Sequence, residues 1–168
     1  MNISNHKKNS VKIPASWLMH PWHCISLGFG SGLMPFAPGT WGTLVAIPIA
    51  YLCSYLGQPL YLLVTALVCL LGIYTAGYTS EKLKVHDHSG IVVDEIAGYM
   101  ITMIGVTMNA TSLLVGFLLF RLFDILKPWP IRVIDRNMKG GLGIMMDDIL
   151  AGVFSLIIMQ LLIARHWL

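Results

Sequence analysis

The stretch Leu60–Tyr78, LYLLVTALVCLLGIYTAGY, decides the fold class, because it contains no Asp, Glu, Lys or Arg. A helix that crosses a bilayer needs about 20 mostly apolar residues. This stretch therefore predicts one membrane span. Charged residues are also absent well beyond it, over residues 13–80, 96–120 and 149–164.

The composition of the whole chain agrees with a membrane protein. Of its 168 residues, 56% are hydrophobic and 11% are charged, and the mean hydropathy is +0.72. A water-soluble domain carries roughly 25% charged residues, and one core of this size cannot bury so much apolar side chain. The composition argues against a soluble globular domain, a disordered chain and a coiled coil. With only 11 Lys and Arg, it also leaves no basic patch for nucleic acid.

Three further apolar segments lie outside Leu60–Tyr78. Thr43–Leu56 is predicted to be helical and to form a hairpin with Leu60–Tyr78, because Gly57-Gln58-Pro59 is a turn signal. Ile149–Leu162 predicts a shorter span near the C-terminus. Residues 96–120 fit either one span or a hairpin.

The positive-inside rule selects the hairpin for residues 96–120. With a turn at Asn109-Ala110-Thr111, the N-terminus and both charged loops lie on one side. That side then holds 10 of the 11 Lys and Arg and all eight Asp and Glu, and Arg165 lies opposite. We therefore predict five apolar segments, with the N-terminus in the cytoplasm and the C-terminus outside.

The predicted architecture is an all-α integral membrane protein with roughly four to five membrane-embedded helices, whose charged groups face the cytoplasm. Residues 1–168 form one domain, composed of a basic tail (1–12), an interfacial segment rich in Gly and Pro (13–42) and a helical membrane region (43–168). No apolar stretch with a small-residue cleavage site follows the N-terminal lysines, so we expect no removed signal peptide. The three cysteines lie far apart in apolar sequence and are interpreted as reduced packing residues.

Two adjacent acids at the start of an apolar helix form the first candidate site. Asp94 and Glu95 follow an apolar run, where helix capping explains one carboxylate. Two exceed what a cap needs, and charged groups near a membrane are costly enough to indicate function. We interpret the pair as metal ligands or catalytic groups. The preceding His86-Asp87-His88 lacks the further ligands of a metal site and is interpreted as a solvated loop.

A second cluster combines basic and acidic side chains before Pro128, which ends a helix. The i, i+3 spacing places Arg121 and Asp124 on one helix face, where a salt bridge is one interpretation. In the other interpretation, Arg121 and Lys127 bind a phosphate, Arg as a bidentate donor and Lys as a point charge.

A third cluster pairs two aspartates behind a glycine-rich stretch, residues 139–143. Asp147 and Asp148 lie at the predicted start of the last span, where they are either helix caps or metal ligands. Mg²⁺ is usually held by one or two carboxylates together with phosphate.

A second glycine-rich stretch, Gly28–Gly42, precedes the first hairpin. Its backbone N–H groups can converge on an anion, and a helix that starts near Thr40 adds its dipole. Glycines in membrane proteins also simply permit close packing, so both interpretations stay open.

The usual phosphate-handling motifs are absent from the sequence. It has no G-x-x-x-x-G-K-[ST] nucleotide loop, no G-x-S-x-G serine elbow, and neither the cysteine nor the aspartate motif of covalent phosphatases. Carboxylate clusters beside two basic residues therefore favour metal-assisted attack by water on a phosphoryl group.

Four motifs occur in order along the chain. They are GFGSGLMPFAPGTWG at residues 28–42, IVVDEIAG at 91–98, FRLFDILKPWPI at 120–131 and GIMMDDILAG at 143–152. Together they resemble the phosphatidylglycerophosphatase A family, with a likeness that runs from about Trp22 to Ile163. Any one motif is unspecific, whereas the ordered set is highly specific.

The resemblance implies an integral enzyme of the bacterial inner membrane. Such an enzyme uses Mg²⁺ to remove the terminal phosphate of phosphatidylglycerophosphate, and its products are phosphatidylglycerol and phosphate. Matched position by position, the catalytic candidates are Asp94, Glu95, Arg121, Asp124, Lys127 and Asp148, and Asp87 matches less firmly. The metal candidates are Asp94, Glu95, Asp147 and Asp148. The substrate-binding candidates are Arg121, Lys127, Gly30, Gly32, Gly39 and Thr40.

These assignments give a mechanistic hypothesis with a cytoplasmic-face active site. The carboxylates hold Mg²⁺, Arg121 and Lys127 clamp the phosphomonoester, and Asp124 either orients Arg121 or serves as base for water. The expected partners are the lipid substrate and membrane lipids, with no nucleic acid and no obligate protein partner. A cation transporter or channel is the first alternative, although it predicts acids on both sides of the bilayer. A non-catalytic membrane scaffold is the second, and it would tolerate Asp94→Asn and Asp148→Asn.

Overall fold

The protein is all-helical throughout the residues that the computed structural model describes, which are 11–85, 88–133 and 138–168. No strand occurs in these ranges, so the predicted all-α class is confirmed. The helices are α1 Pro21–Ser26, α2 Pro38–Ser54, α3 Gln58–Leu83, α4 Val93–Thr102, α5 Ala110–Leu126 and α6 Gly140–Ala164. Short 3-10 turns cover Ala15–Met19 and Gly28–Leu33.

The two predicted hairpins are present. Gly57, at φ +81°, separates α2 from α3, because a residue without Cβ adopts positive φ at little cost. Residues 103–109 separate α4 from α5, and the Asn109 side chain accepts a hydrogen bond from the backbone N–H of Ser112. The turn predicted at Asn109 is therefore the start of α5.

The sequence placed the start of the last helix too late. It begins at Gly140 rather than near Ile149, because the glycine-rich segment continues directly into the helix. Asp147 and Asp148 consequently lie two turns inside α6, and the interpretation of these residues as helix caps is wrong. A cap must precede the first turn to reach the free backbone N–H groups.

Glycines bring α4 and α6 into close contact. A Cβ on Gly152 would lie 2.5 Å from the carbonyl oxygen of Gly98, and a Cβ on Gly98 would lie 2.7 Å from that of Asp148. No side chain fits between two backbones at this separation. The crossing therefore places the first turn of α4 beside the acidic turn of α6.

The core lies around α4, between the other helices. Tyr99, Met100 and Phe120 are fully buried there. The Tyr61 hydroxyl on α3 donates a hydrogen bond to the Met100 carbonyl at 2.9 Å, which satisfies a polar group inside the apolar core. The helix that carries two candidate site residues is thus rigidly held.

A continuous apolar stripe remains exposed along α3. Leucines and a tyrosine recur at helical spacing on one face, at Leu60, Leu63, Leu67, Leu70 and Tyr74, and each is about half exposed. Monomeric soluble proteins rarely expose an apolar surface of this extent. Within the described residues, α3 and α6 are long and apolar enough to cross a membrane, and the stripe indicates association with lipid.

Candidate active site

The charged candidate residues meet at one end of the helix bundle. The first turns of α2 and α4, the C-terminal end of α5 and the acidic turn of α6 surround a cavity of about 360 Å³. The candidates that line it are Gly39, Asp94, Glu95, Arg121, Asp124, Lys127, Asp147 and Asp148. Four motifs that lie far apart in sequence thus form one polar site.

Three carboxylates converge in this cavity. Each of Asp94, Glu95 and Asp148 offers an oxygen within 4.8 Å of the others. Asp94 and Asp148 are almost fully buried, and Glu95 Oε2 is buried with no hydrogen-bond partner among the described residues. A buried carboxylate oxygen without a donor is costly unless a cation satisfies it. The donor set is all oxygen, which suits Mg²⁺.

Helix geometry separates the two neighbouring aspartates of α6. Successive residues point about 100° apart around a helix of 3.6 residues per turn. Asp148 therefore faces the acids of α4, while the Asp147 carboxylate forms an ion pair with Lys127 Nζ. The sequence proposed both as metal ligands, and the geometry groups only Asp148 with Asp94 and Glu95.

Arg121 bridges the acidic groups of α4 and α5. Its Nη1 donates to Asp124 Oδ2 at 2.5 Å, which is the predicted i, i+3 pair, and lies 3.8 Å from Glu95 Oε1. Its Nε is buried and has no hydrogen-bond partner in the part of the chain that the structure describes. The guanidinium is held by Asp124 and still has a donor to offer inside the cavity.

The charge in the cavity favours an added cation. Five carboxylates, on Asp94, Glu95, Asp124, Asp147 and Asp148, face two cationic side chains, on Arg121 and Lys127, which leaves a formal charge of −3. A phosphate anion is repelled from such a site, since like charges in a partly buried cavity are poorly screened. Bound Mg²⁺ would offset most of the excess charge, so the residues present fit this ion.

The four predicted substrate-binding residues of the glycine-rich stretch lie in different places. Gly39 is at the cavity, where a Cβ would lie 2.1 Å from Glu95 Oε1. Gly32 packs against a backbone, because its Cβ would lie 2.0 Å from the Gly90 carbonyl oxygen, and it lines an adjoining groove. Gly30 faces Leu18, and neither Gly30 nor Thr40 lines either of these cavities.

His88 holds the N-terminal segment instead of a metal. Its Nδ1 accepts a hydrogen bond from the backbone N–H of Gly90 at 3.0 Å. The other ring nitrogen, Nε2, therefore carries the proton and donates to the Val11 carbonyl at 2.8 Å. His88 is buried, so the solvated-loop interpretation is wrong for this residue. His86 and Asp87 lie outside the described residues.

Five cavity residues were not identified from the sequence. The residues that line the cavity beside the charged groups are Ala37, Pro38, Ser89, Ile91 and Ile125. Ser89 follows His88 directly, so its position beside the first acidic motif was the one available signal. The other four are apolar, and no chemical pattern distinguishes them from packing residues.

Comparison with known proteins gives the class of the molecule. The sequence model of the family described as phosphatidylglycerophosphatase A matches residues 24–163. The chain is 47% identical over 151 residues to the phosphatidylglycerophosphatase A of Escherichia coli, with 89% of this chain and 87% of the relative covered. It is 42% identical to the Haemophilus influenzae protein of the same name, with 90% and 93% covered.

A third relative carries a different substrate in its name. It is described as a putative phosphatidylinositol-3-phosphatase of Bacteroides thetaiotaomicron and is 42% identical over 142 residues, with 80% of this chain and 88% of the relative covered. No solved structure matches the chain. All three relatives are phosphatases by name, and the polar cavity belongs to an enzyme of this class. The chain is a member of the phosphatidylglycerophosphatase A family.

Proposed function

We propose that this chain hydrolyses the terminal phosphomonoester of phosphatidylglycerophosphate to phosphatidylglycerol and phosphate, as a step of phospholipid synthesis. The observation that carries the proposal is the cavity in which three carboxylates face Arg121 and Lys127. Family membership supports a phosphatase over a transporter or a scaffold. The exposed apolar stripe on α3 supports a lipid substrate, because it keeps the enzyme in the same phase as its substrate.

In the proposed mechanism, Asp94, Glu95 and Asp148 would hold Mg²⁺. When bound, this ion would supply Lewis-acid chemistry that activates the phosphoryl group and the attacking water. Arg121 and Lys127 bind the oxygens of the phosphomonoester, which fixes the phosphorus opposite the attacking water. The positive charges of both side chains then stabilise the negative charge on the phosphoryl oxygens in the transition state.

Asp124 is proposed as the base that accepts the proton of the attacking water. It lies at the cavity beside Asp148 and is held in position by Arg121. Water adds to phosphorus, the bond to the lipid alkoxide breaks, and a proton from solvent or from the protonated base completes the alcohol. The lipid leaves with its hydroxyl restored and inorganic phosphate remains.

We place the active site at the cytoplasmic face of the bacterial inner membrane. The charge distribution supports this side, since 10 of the 11 Lys and Arg are predicted there. The first turns of α2 and α4, the acidic turn of α6 and the last turn of α5 share this end of the bundle. Substrate and catalytic groups then meet at one interface.

Phosphate release from micelles containing phosphatidylglycerophosphate tests the proposal. Purified protein is assayed with Mg²⁺, then with EDTA, with phosphatidylinositol 3-phosphate as a parallel substrate because of the third relative's name. We expect release that requires Mg²⁺ and is much faster with phosphatidylglycerophosphate. Folded protein that releases no phosphate from it, or prefers the inositol lipid, contradicts the proposed substrate.

A further inference from the structure

A second, larger cavity adjoins the catalytic one. Its volume is about 700 Å³, within the range of small-molecule sites. It shares the lining residues Ala37, Pro38 and Ser89 with the catalytic cavity, so the two cavities are direct neighbours. We call this larger cavity the side groove.

The walls of the side groove differ in polarity. One wall is the N-terminal segment with Lys12, which His88 ties to the body of the protein through the Val11 carbonyl. Another part of the lining carries Met34 and Phe36, which are 42% and 82% exposed. A cationic residue and exposed apolar residues in one groove match an amphiphile whose anionic group adjoins its hydrocarbon.

The floor of the side groove is backbone. Gly32 and Gly90 approach so closely that a Cβ on either would lie within 3 Å of the other's carbonyl oxygen. This contact holds two loops together at the base of the groove. Gly32 thus helps to form the side groove, whereas Gly39 of the same motif lies at the catalytic cavity.

The proposed substrate carries two phosphates joined by one glycerol. The monoester is the reacting group, and the phosphodiester connects the glycerol to the diacylglycerol. With the monoester between Arg121 and Lys127, the phosphodiester must lie next to the catalytic cavity. Because the side groove is the neighbouring cavity and Lys12 lines it, we propose that it binds the phosphodiester through Lys12 and directs the acyl chains past Met34 and Phe36. This inference rests on the proposed function.

Substitution of Lys12 tests the role of its charge. Lys12→Gln removes the charge, Lys12→Glu reverses it, and Lys84→Gln is the control, since Lys84 is exposed and lines neither cavity. KM and kcat are measured with phosphatidylglycerophosphate in neutral detergent micelles. Inhibition is measured with phosphatidylglycerol, which keeps only the phosphodiester, and with inorganic phosphate, which represents only the reacting group.

We expect Lys12→Gln to raise both KM and the inhibition constant of phosphatidylglycerol about threefold to fivefold, as loss of a partly solvated charge pair does. Lys12→Glu should raise both further, while kcat and the inhibition constant of inorganic phosphate stay unchanged. The control should behave as the unmodified protein.

Two results would overturn the inference. One is equal behaviour of Lys12→Gln and Lys84→Gln toward phosphatidylglycerol. The other is an equal rise in the inhibition constants of inorganic phosphate and phosphatidylglycerol in the Lys12 variants. Such a rise would indicate that Lys12 acts only through the general surface potential. If the unmodified protein hydrolyses phosphatidylglycerophosphate and either result is found, only the proposed role of the side groove is contradicted. If the unmodified protein does not hydrolyse this lipid, the proposed function itself is contradicted.

Discussion

At the scale of single residues, Asp124 has two possible roles that kinetics separates. Its carboxylate is paired with Arg121, and an Asn keeps the shape and one acceptor. If Asp124 is the base, Asp124→Asn should lower kcat by about 100-fold or more, the usual contribution of a general base. Inhibition by inorganic phosphate, which reports Arg121 and Lys127, should change little. If kcat and the affinity for inorganic phosphate fall to the same extent, Asp124 acts by positioning Arg121.

The neighbouring aspartates of α6 provide a matched pair of variants. Asp148 groups with Asp94 and Glu95, whereas Asp147 is paired with Lys127. Asp148→Asn should therefore raise the Mg²⁺ concentration for half-maximal activity by at least about tenfold, as loss of a metal-site group does. Asp147→Asn should instead raise KM, because it removes the ion pair that orients Lys127 toward the phosphate. Activity titrated with Mg²⁺ in both variants checks this, and equal Mg²⁺ shifts would contradict the assignment.

The charged residues of the site were predictable one by one, but of their pairings only the i, i+3 pair of Arg121 and Asp124 was. Asp94, Arg121 and Asp148 are charged in apolar sequence, which is unusual enough to identify them individually. Which carboxylate faces which cation depends on how α4, α5 and α6 cross. Lys12 carried no such signal, because a lysine in a basic tail looks like any solvated charge.

At the scale of elements, Gly152 determines how closely α4 and α6 approach. In a helix, Gly→Ala ordinarily stabilises by about 1 kcal/mol through backbone entropy. Gly152→Ala should have the opposite sign and destabilise by about 1–3 kcal/mol, because its Cβ meets the Gly98 backbone, which cannot move aside. Thermal unfolding in detergent measures the change, and activity should fall with it as the acidic turns separate.

Gly116→Ala is the matched control for this prediction. A Cβ there would lie 2.5 Å from Met103 Sδ, the flexible thioether of a side chain rather than a backbone atom. Methionine adapts its rotamer at little cost, so Gly116→Ala should leave the Tm nearly unchanged or raise it. A larger loss for Gly116→Ala than for Gly152→Ala would contradict the close crossing of α4 and α6.

The helix limits show where sequence patterns stop being informative. The turn at Asn109 was predictable because Asn, Ala and Thr interrupt an apolar run. The end of α4 at Thr102 was not, since residues 103–108 remain as apolar as the helix before them. The start of α6 was missed because its first turns contain glycines, which suggest a loop. One of them, Gly141, instead lets the helix pass close to the Ile73 carbonyl of α3.

At the scale of the whole molecule, the predicted orientation is testable from the two chain ends. Five apolar segments place the N-terminus in the cytoplasm and the C-terminus outside. A reporter that is active only outside the cytoplasm should work when fused after Leu168 and fail when fused before Met1. A reporter that folds only in the cytoplasm should give the reverse pattern. Activity of one reporter at both ends would contradict an odd number of crossings.

The unequal lengths of the helices have a mechanical consequence for the surrounding lipid. At 1.5 Å per residue, the 17 residues of α5, which exposes Leu114, Leu118 and Leu122, extend about 26 Å, whereas α3, with 26 residues, extends about 39 Å. The hydrocarbon layer is about 30 Å thick, so a bilayer around this protein would be compressed beside α5 and stretched beside α3. Each ångström of mismatch costs a fraction of a kcal/mol in elastic deformation. The acyl length of the host lipids, and not only that of the substrate, should therefore tune the turnover of the reconstituted enzyme.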